Sequence, residues 1–140
     1  MLKVDILQIG AAKNMEKRIF YHDTDAGGIV YYGNYLKYLE EARTEFLETK
    51  GMSVNDFHQR GLMYAVRKCT INYRSPARYG ETLICNAELK EATVAQLIFK
   101  QTITEKSSGR LVADAEVALA CLNQSFKPTP IPEDLKIRLQ

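Results

Sequence analysis

The stretch NYLKYLEEARTEFLETK, residues 34–50, decides the fold, because it predicts one long amphipathic α-helix. Its apolar side chains recur at the spacing of one helix face, and charged or hydroxyl side chains fill the opposite face. We expect Asn34 to cap the amino-terminal end, and Gly51 to lie just beyond the carboxy-terminal end with Lys50 in the last turn. The predicted buried residues are Tyr35, Tyr38, Leu39, Ala42 and Phe46. Such a helix needs an apolar surface to pack against.

The chain after Gly61 changes to a two-residue period, which is typical of β-strands with one buried face. The predicted inward residues of the first run are Cys69, Ile71 and Tyr73. Three further runs lie at 83–89, 95–103 and 111–119. The links at 74–81, 92–93 and 106–109 are short, which predicts that each strand pairs antiparallel with the next.

The two ends of the chain are less regular than its middle. We expect residues 1–14 to form an amino-terminal extension, either an extra strand or a loose arm, followed by a short strand over Lys17–Tyr21. Three prolines exclude a central strand from the carboxy-terminal tail, residues 124–140. Pro132–Leu135 predicts a short helix there, with proline at its first position.

The order strand, long helix, four strands predicts an α+β fold in which an antiparallel sheet wraps around one central helix. With 140 residues the chain has the size of one domain, so we expect a single domain over 1–140. Such a sheet keeps exposed edges, and a second copy of the chain would cover one of them. We therefore expect a symmetric dimer. A tetramer stays open, because the packing of one sheet on another leaves little trace in sequence.

Charge and composition exclude several function classes. A net charge of +2 is too small to indicate a nucleic-acid partner. The sequence has no run apolar and long enough to span a bilayer, and its first ten residues do not resemble a signal peptide. Cys69, Cys85 and Cys121 form no CxxC pair, so we expect buried, reduced thiols in a cytoplasmic protein.

The loop YHDTDAGGIVYY, residues 21–32, carries the chemically active side chains and directly precedes the helix. Its two glycines permit backbone conformations closed to other residues, and we expect no regular element here. The start of a helix offers unpaired N–H groups that can hold an oxyanion, and a carboxylate beside it can act as nucleophile or general base. Loops of this composition more often only turn the chain and cap the helix, so composition alone leaves both interpretations open.

Other chemistries have weaker signals. His22 and Asp23 resemble part of a metal site, but the chain has only two histidines and such sites usually need three or more ligands, so we expect no metal. Asp23 is expected to order the loop by hydrogen bonds to backbone N–H groups, and His58 to lie at the surface. The sequence contains no G-x-S-x-G, P-loop or dinucleotide motif, which argues against a serine hydrolase and against a nucleotide cofactor.

The loop and the helix together resemble the 4-hydroxybenzoyl-CoA thioesterase family. The match begins with YHDTDAGGIVYYGNY at 21–35 and continues with YLEEARTEF at 38–46. Shorter matches follow at Val66–Lys68, Tyr73–Arg78 and Ala115–Val117. The resemblance therefore spans roughly 18–123. Within the family, the pattern is most similar to the YbgC-type branch found beside the bacterial Tol–Pal system.

The resemblance implies the hotdog fold and hydrolysis of acyl-CoA without a cofactor. It implies that Asp25 is the catalytic aspartate, acting either as nucleophile or as general base for water. It implies that the backbone N–H of Tyr32 polarises the thioester carbonyl and that Tyr21 supports the site. Gly27 and Gly28 match the glycines that shape the loop.

Substrate binding and one departure from the family also follow from this resemblance. Coenzyme A carries phosphates, which guanidinium groups bind well, so we expect Arg78 rather than Arg74 to contact them. Gly28 and Tyr31 are expected to contribute to the substrate site. Many members of the branch carry histidine where this chain has Tyr32. Tyrosine, with a reference pKa of about 10, is a poor base near neutral pH, which affects the expected rate and substrate preference more than the reaction type.

Two other functions are compatible with the sequence. One is a scaffold that binds acyl-CoA or acyl carrier protein without turnover in envelope lipid metabolism; the intact Asp25 argues against it, and the missing histidine argues weakly for it. The other is a hotdog dehydratase, whose usual catalytic histidine has no counterpart at the helix start. For a thioesterase, Tyr38, Phe46 and Tyr64 are candidates for lining an acyl channel, although core packing is the commoner role of such residues.

Overall fold

The computed structural model describes residues 7–8 and 12–139, and within these ranges it contains one antiparallel sheet and three α-helices. The strands are β1 (Leu7–Gln8), β2 (Ala12–Arg18), β3 (Met63–Tyr73), β4 (Thr82–Ala92), β5 (Gln96–Glu105) and β6 (Leu111–Leu122). The helices are α1 (Asn34–Thr49), α2 (Val54–Gln59) and α3 (Glu133–Arg138).

The sheet has the strand order β1–β4–β5–β6–β3. Strands β1 and β2 both pair with β4, β1 with residues 91–92 and β2 with residues 82–88. Strands β4, β5 and β6 are antiparallel neighbours, which confirms the prediction from the two short links between them. The third link, 74–81, does not join neighbours, because β3 pairs with β6. That prediction was wrong: the link crosses to the loop before α1, where Ala77 accepts a hydrogen bond from the Val30 N–H.

Helix α1 packs its apolar face into the same core as β4, β5 and β6. All five residues predicted to be buried on this helix are buried. The Phe46 ring meets Phe99 of β5 edge-on, with 5.4 Å between ring centroids. Burying a side chain of this size stabilises the fold by about 1.5–3 kcal/mol, so the apolar face alone fixes α1 firmly against the sheet.

The start of α1 differs from the prediction in one respect. Gly33, not Asn34, is the N-cap residue, and Asn34 is the first residue of the helix. The Asn34 side chain instead donates from Nδ2 to the backbone oxygen of Asp23 at 2.9 Å. It therefore ties the preceding loop to the helix and does not cap the helix.

The end of α1 matches the prediction. Gly51 follows the C-cap residue and has φ of +69°, in the left-handed region that glycine adopts without steric cost. The N–H of Gly51 donates to Glu48, and the N–H of Met52 donates to Leu47, so the last turn of the helix is closed by the following residues.

Strand β3 lies at an edge of the sheet, and within the described residues its ladder partner is β6. Residues 66–70 are exposed along both faces. Ile71 is half-buried and packs against the core, as predicted, whereas Cys69 and Tyr73 are exposed, so for these two the prediction was wrong. Alternation reveals that a strand has two faces but not whether another element covers either face. A long exposed edge of this kind is a template for pairing.

The amino-terminal residues join the sheet through β4, which confirms an extra strand for the described part of 1–14. The remainder of that extension lies outside the described residues. The strand predicted over Lys17–Tyr21 was wrong beyond its first two residues, since a 3-10 turn begins at Tyr21. The backbone leaves the sheet there because the Phe20 N–H donates to the Asp23 carboxylate at 2.8 Å.

The carboxy-terminal tail contains the predicted short helix, α3. Pro132 is its N-cap residue and not its first helical residue, so that detail of the prediction was wrong. Leu135 and Leu139 are buried in the core, and Asp134 pairs with Arg60, which lies just after α2. No helix in the described ranges is long and apolar enough to cross a membrane.

Candidate active site

Asp23 is the buried anchor of the loop between β2 and α1, with 6% of its surface exposed. Its carboxylate accepts hydrogen bonds from the Phe20 N–H and from the Tyr38 hydroxyl, each at 2.8 Å. Its backbone oxygen accepts from Asn34 Nδ2 and from the Tyr31 N–H at 3.0 Å. Burial and this carboxylate raise the pKa of Tyr38, so its hydroxyl remains a donor. These contacts confirm that Asp23 orders the loop.

Asp25 lies at the exposed tip of the same loop. Its backbone N–H donates to the Ile29 oxygen at 2.9 Å, and its backbone oxygen accepts from the Gly28 N–H at 3.1 Å. Its Oδ1 accepts from the Gly27 N–H at 2.8 Å. Gly28 has φ of +78°, which explains the glycine at this tight turn. The carboxylate is thus oriented through one oxygen while it remains open to solvent.

The residues just before α1 present unpaired backbone donors. The Tyr31 N–H is used by Asp23, and the Asn34 N–H by the Tyr31 oxygen. The N–H groups of Tyr32 and Gly33 make no hydrogen bond within residues 7–8 and 12–139. Two free donors at the positive end of a helix dipole can stabilise an oxyanion that develops in a reaction. This arrangement fits the role predicted for the Tyr32 N–H.

Tyrosine rings surround these donors. The ring of Tyr32 is 5.0 Å from that of Tyr31 and meets Tyr73 at a right angle, with 6.2 Å between centroids. A Cβ on Gly33 would lie 2.7 Å from the Tyr31 ring. Glycine at this position therefore allows Tyr31 to lie over the start of the helix.

A cavity of about 240 Å³ opens beside Tyr32. Its walls are formed by Ile29, Val30, Tyr32, Tyr35, Tyr73, Arg74, Ser75 and Pro76. The lining is largely apolar, which suits an acyl group better than a polar ligand. Sequence reasoning missed Tyr35 and Tyr73 as site residues, because it assigned both to the core. The Tyr35 hydroxyl accepts a hydrogen bond from the Ala77 N–H at 3.1 Å, which fixes one wall.

Two neighbouring arginines are committed to carboxylates. Arg74 Nε lies 2.7 Å from Asp114 Oδ2, and an Arg110 nitrogen lies 3.0 Å from Glu81 Oε1. Arg78 makes no ion pair in the part of the chain that the structure describes. Of the arginines in the 74–81 link, Arg78 is therefore the one whose guanidinium is available for an anion.

The structure brings Arg78 to the loop between β2 and α1, and Tyr21 lies at the outer side of that loop. Arg78 pairs with Ile29 through an isolated β-bridge, and its N–H donates to Glu81 Oε1 at 2.7 Å. Tyr21 is 78% exposed, and its ring packs edge-on against Tyr79 at 5.9 Å. The roles given to Arg78 and Tyr21 stay predictions.

The two histidines lie on different elements, His22 in the loop beside Asp23 and His58 on α2. His22 is exposed, with Nε2 3.8 Å from Asp23 Oδ2, and His58 is exposed on α2, as predicted. Among the residues that the structure describes, no group of three or more His, Cys, Asp or Glu side chains could hold a metal ion.

Known proteins match this combination of loop, helix and sheet. The family model described as the thioesterase-like superfamily matches residues 21–139, from the loop before α1 to the residue after α3. The chain belongs to this superfamily. The acyl-CoA thioester hydrolase YbgC of Escherichia coli O6:H1 is 34% identical over 119 residues, which cover 84% of this chain and 88% of that protein.

Solved structures of thioesterases have the same fold. A probable thioesterase from Bartonella henselae is 28% identical, with a TM-score of 0.81, covering 87% of this chain and 100% of that one. A 4-hydroxybenzoyl-CoA thioesterase in complex with 4-hydroxybenzoyl-CoA is 20% identical, with a TM-score of 0.85, covering 92% and 99%. These likenesses confirm the α+β hotdog fold, with an antiparallel sheet around one long helix.

The three residues considered for an acyl channel have different surroundings in this thioesterase fold. Tyr38 and Phe46 are buried in the core, as the commoner role of such residues predicted. Tyr64 is partly buried and lines a second cavity, separate from the one beside Tyr32.

Proposed function

We propose that this protein hydrolyses acyl-CoA, cleaving the bond between the carbonyl carbon and sulfur to give a free acid and coenzyme A. The observation that carries this proposal is the combination of an open Asp25 carboxylate with the free N–H groups of Tyr32 and Gly33, all on one anchored loop. The thioesterase relatives, including one named as an acyl-CoA thioester hydrolase, support the reaction class.

The chemistry requires two kinds of group, and the loop supplies both. The thioester oxygen accepts hydrogen bonds from the N–H groups of Tyr32 and Gly33, which stabilise the charge that develops on it. Asp25 then acts in one of two ways. It attacks the carbonyl carbon, expelling the coenzyme A thiolate to leave a mixed anhydride that water hydrolyses, or it removes a proton from the water that attacks. Either path consumes one water and releases one acid and one thiol.

The substrate is held by residues around this centre. The acyl group enters the apolar cavity beside Tyr32 and Tyr73, and the phosphates of coenzyme A bind the uncommitted guanidinium of Arg78. Gly28 keeps the loop tightly turned, and Tyr31 covers the start of the helix. Tyr21 supports the outer side of the site.

Thiol release from acetyl-, octanoyl-, palmitoyl- and benzoyl-CoA tests the proposal and defines the acyl preference. We expect turnover of at least one of these substrates, and a preference for acyl groups that the small apolar cavity accommodates. Absence of thiol release from all four, with folded protein, would overturn hydrolysis. A scaffold that binds acyl-CoA or acyl carrier protein without turnover would then become the leading function.

We propose a homodimer formed along the edge of β3, with a tetramer as the alternative if two sheets stack. Residues 66–70 are exposed on both faces, and one ladder side of the strand is unpaired within the described chain. Pairing with β3 of a second copy would satisfy those backbone groups.

Proline substitutions at two neighbouring positions of β3, Cys69→Pro and Thr70→Pro, test the dimer. Successive residues direct their N–H groups to opposite sides of a strand, so one of the two prolines removes a bond to β6 and the other blocks only the free edge. By light scattering, we expect twice the chain mass for the wild type and the mass of one folded chain for one variant. A wild type with the mass of a single chain would refute the dimer.

We further propose that the protein is one domain over residues 1–140 and works in the cytoplasm. The continuous core from α1 to α3 supports a single domain, and the three free thiols support a reducing compartment. Acyl carrier protein is proposed as a second thioester donor, because its prosthetic arm ends in the same thioester group as acyl-CoA. An association with the Tol–Pal system is supported by the sequence resemblance.

A further inference from the structure

A second cavity, of about 260 Å³, lies between α1, α2, β3 and β6. It is lined by Glu40, Arg43, Thr44, Leu47, Val54, Tyr64, Val66 and Leu119, none of which lines the cavity beside Tyr32. Most of the wall is apolar. Two of its polar side chains, Arg43 and Tyr64, have hydrogen-bonding groups that the described chain leaves unused.

Arg43 is a buried cation that makes no ion pair within residues 7–8 and 12–139. It is 7% exposed, and one of its terminal nitrogens donates to Gln101 Oε1 at 2.9 Å. Gln101 is itself fully buried and donates from Nε2 to the Leu39 oxygen at 3.0 Å, so the neutral partner is fixed in place. No ion pair involves Arg43 among the described residues. A guanidinium has five N–H donors. Burial lowers the pKa of Arg43, and the Glu40 carboxylate, which is too far away for an ion pair, offsets this only in part.

Tyr64 is one of the residues that line the same cavity, and its ring is held in place by stacking. Its ring stacks on Phe57, with 3.9 Å between centroids and 8° between planes. Its hydroxyl is buried and has no hydrogen-bond partner among the described residues. Buried hydroxyls are almost always paired, so this hydroxyl is a donor that an acceptor from outside the chain would satisfy.

We propose that this cavity binds a small organic carboxylate. The carboxylate accepts hydrogen bonds from the Arg43 guanidinium, whose planar fork matches its two oxygens, and from the Tyr64 hydroxyl. The apolar part of the ligand packs against Leu47, Val54, Val66 and Leu119. These walls favour an organic acid over an inorganic anion, which would leave the apolar surface without contacts.

Glu40 limits what the cavity accepts. This exposed carboxylate also lines the cavity, but it is not within ion-pair distance of Arg43. It repels a second negative charge, so a ligand with one carboxylate at its buried end is favoured. The required chemistry is offered by a free carboxylic acid, such as a product of thioester hydrolysis, or by the distal end of a dicarboxylic acyl group. Binding here does not require that the protein hydrolyse thioesters.

Calorimetry with hexanoate and hexanamide tests the site, because the two probes have the same shape and differ in charge. We expect hexanoate to bind at least about tenfold more tightly, since hydrogen bonds to a charged group are the stronger ones. Tyr64→Phe removes only the hydroxyl and keeps the stack on Phe57, and we expect it to weaken hexanoate binding by about tenfold. Equal binding of the two probes, no binding of either, or hexanoate affinity unchanged by Tyr64→Phe would each overturn the proposal.

Two further measurements sharpen the result. Glu40→Gln removes the like charge at the cavity and is expected to strengthen hexanoate binding; weaker binding would contradict the proposed geometry.

A comparison of adipoyl-CoA with hexanoyl-CoA distinguishes a free acid from the distal end of a dicarboxylic acyl group as the source of the carboxylate. Tighter binding of adipoyl-CoA that is lost in Tyr64→Phe identifies the distal end of an acyl group. Equal binding of the two esters, with hexanoate still bound, identifies a free acid. Either result supports a carboxylate site.

Discussion

Asp25→Asn is expected to lower the rate of thiol release from the best acyl-CoA substrate by a factor of about 10²–10⁴, the range that a positioned base or nucleophile contributes. The asparagine keeps the shape of the side chain, and its oxygen can still accept from the Gly27 N–H that now lies 2.8 Å from Oδ1. It lacks the negative charge that either path requires. Because the side chain is exposed, the free energy of unfolding should change little.

The control for this variant is Asp56→Asn, since Asp56 is an exposed aspartate on α2, outside the catalytic loop. It should retain full activity. Trapping with hydroxylamine during turnover then separates the two paths, because only the nucleophilic path forms an acyl group on the Asp25 carboxylate. Turnover by Asp25→Asn equal to that of the wild type would remove Asp25 from the mechanism.

Asp23→Ala is expected to lower the free energy of unfolding by about 2–3 kcal/mol, because it leaves the partly buried Phe20 N–H and the buried Tyr38 hydroxyl without their acceptor. Activity should fall as well, by about a hundredfold, since misplacement of reacting groups by about 1 Å has that cost. Chemical denaturation and thiol release on the same preparations measure the two effects.

Tyr38→Phe is the graded control for this anchor, because it removes one of the two hydrogen bonds to the Asp23 carboxylate and keeps the ring. We expect a loss of about 1 kcal/mol and a smaller loss of activity. Comparison of the Asp23 and Asp25 variants separates positioning from chemistry, since Asp25→Asn should reduce activity without reducing stability. An Asp23→Ala protein as stable as the wild type would show that the loop is held by other contacts.

The parts of this fold that the sequence predicts are those specified by local periodicity. The apolar spacing from Tyr35 to Phe46 defines both the length and the buried face of α1, and Gly51 marks its end. The position of β3 beside β6 was not predictable, because pairing depends on contacts far apart in sequence and alternation carries no information about neighbours. The burial of Arg43 was missed for a related reason, as its partner Gln101 lies on a distant strand.

The candidate site likewise contains residues that local sequence predicts and residues that only distant contacts bring together. Asp25, Gly28 and Tyr32 lie within one short segment of the chain. Both the family resemblance and the unpaired N–H groups expected at the start of a helix identify this segment as the site. Tyr73 lies far along the chain. It reaches the loop because the 74–81 link pairs with that loop, Arg78 with Ile29. The free state of the Tyr32 N–H is likewise a three-dimensional property, because it depends on where the fold places the acceptors around the loop.

The distribution of the three cysteines gives the chain its own chemical reporter. Cys69 is exposed in the middle of β3, whereas burial raises the pKa of Cys85 to about 12 and that of Cys121 to about 11. The thiolate is the form that attacks an alkylating reagent, so the exposed Cys69 should be modified long before the other two. If the chain dimerises along β3 as proposed, the modification rate of Cys69 should rise as the protein is diluted, and the midpoint of that curve would give the dissociation constant without an engineered cysteine.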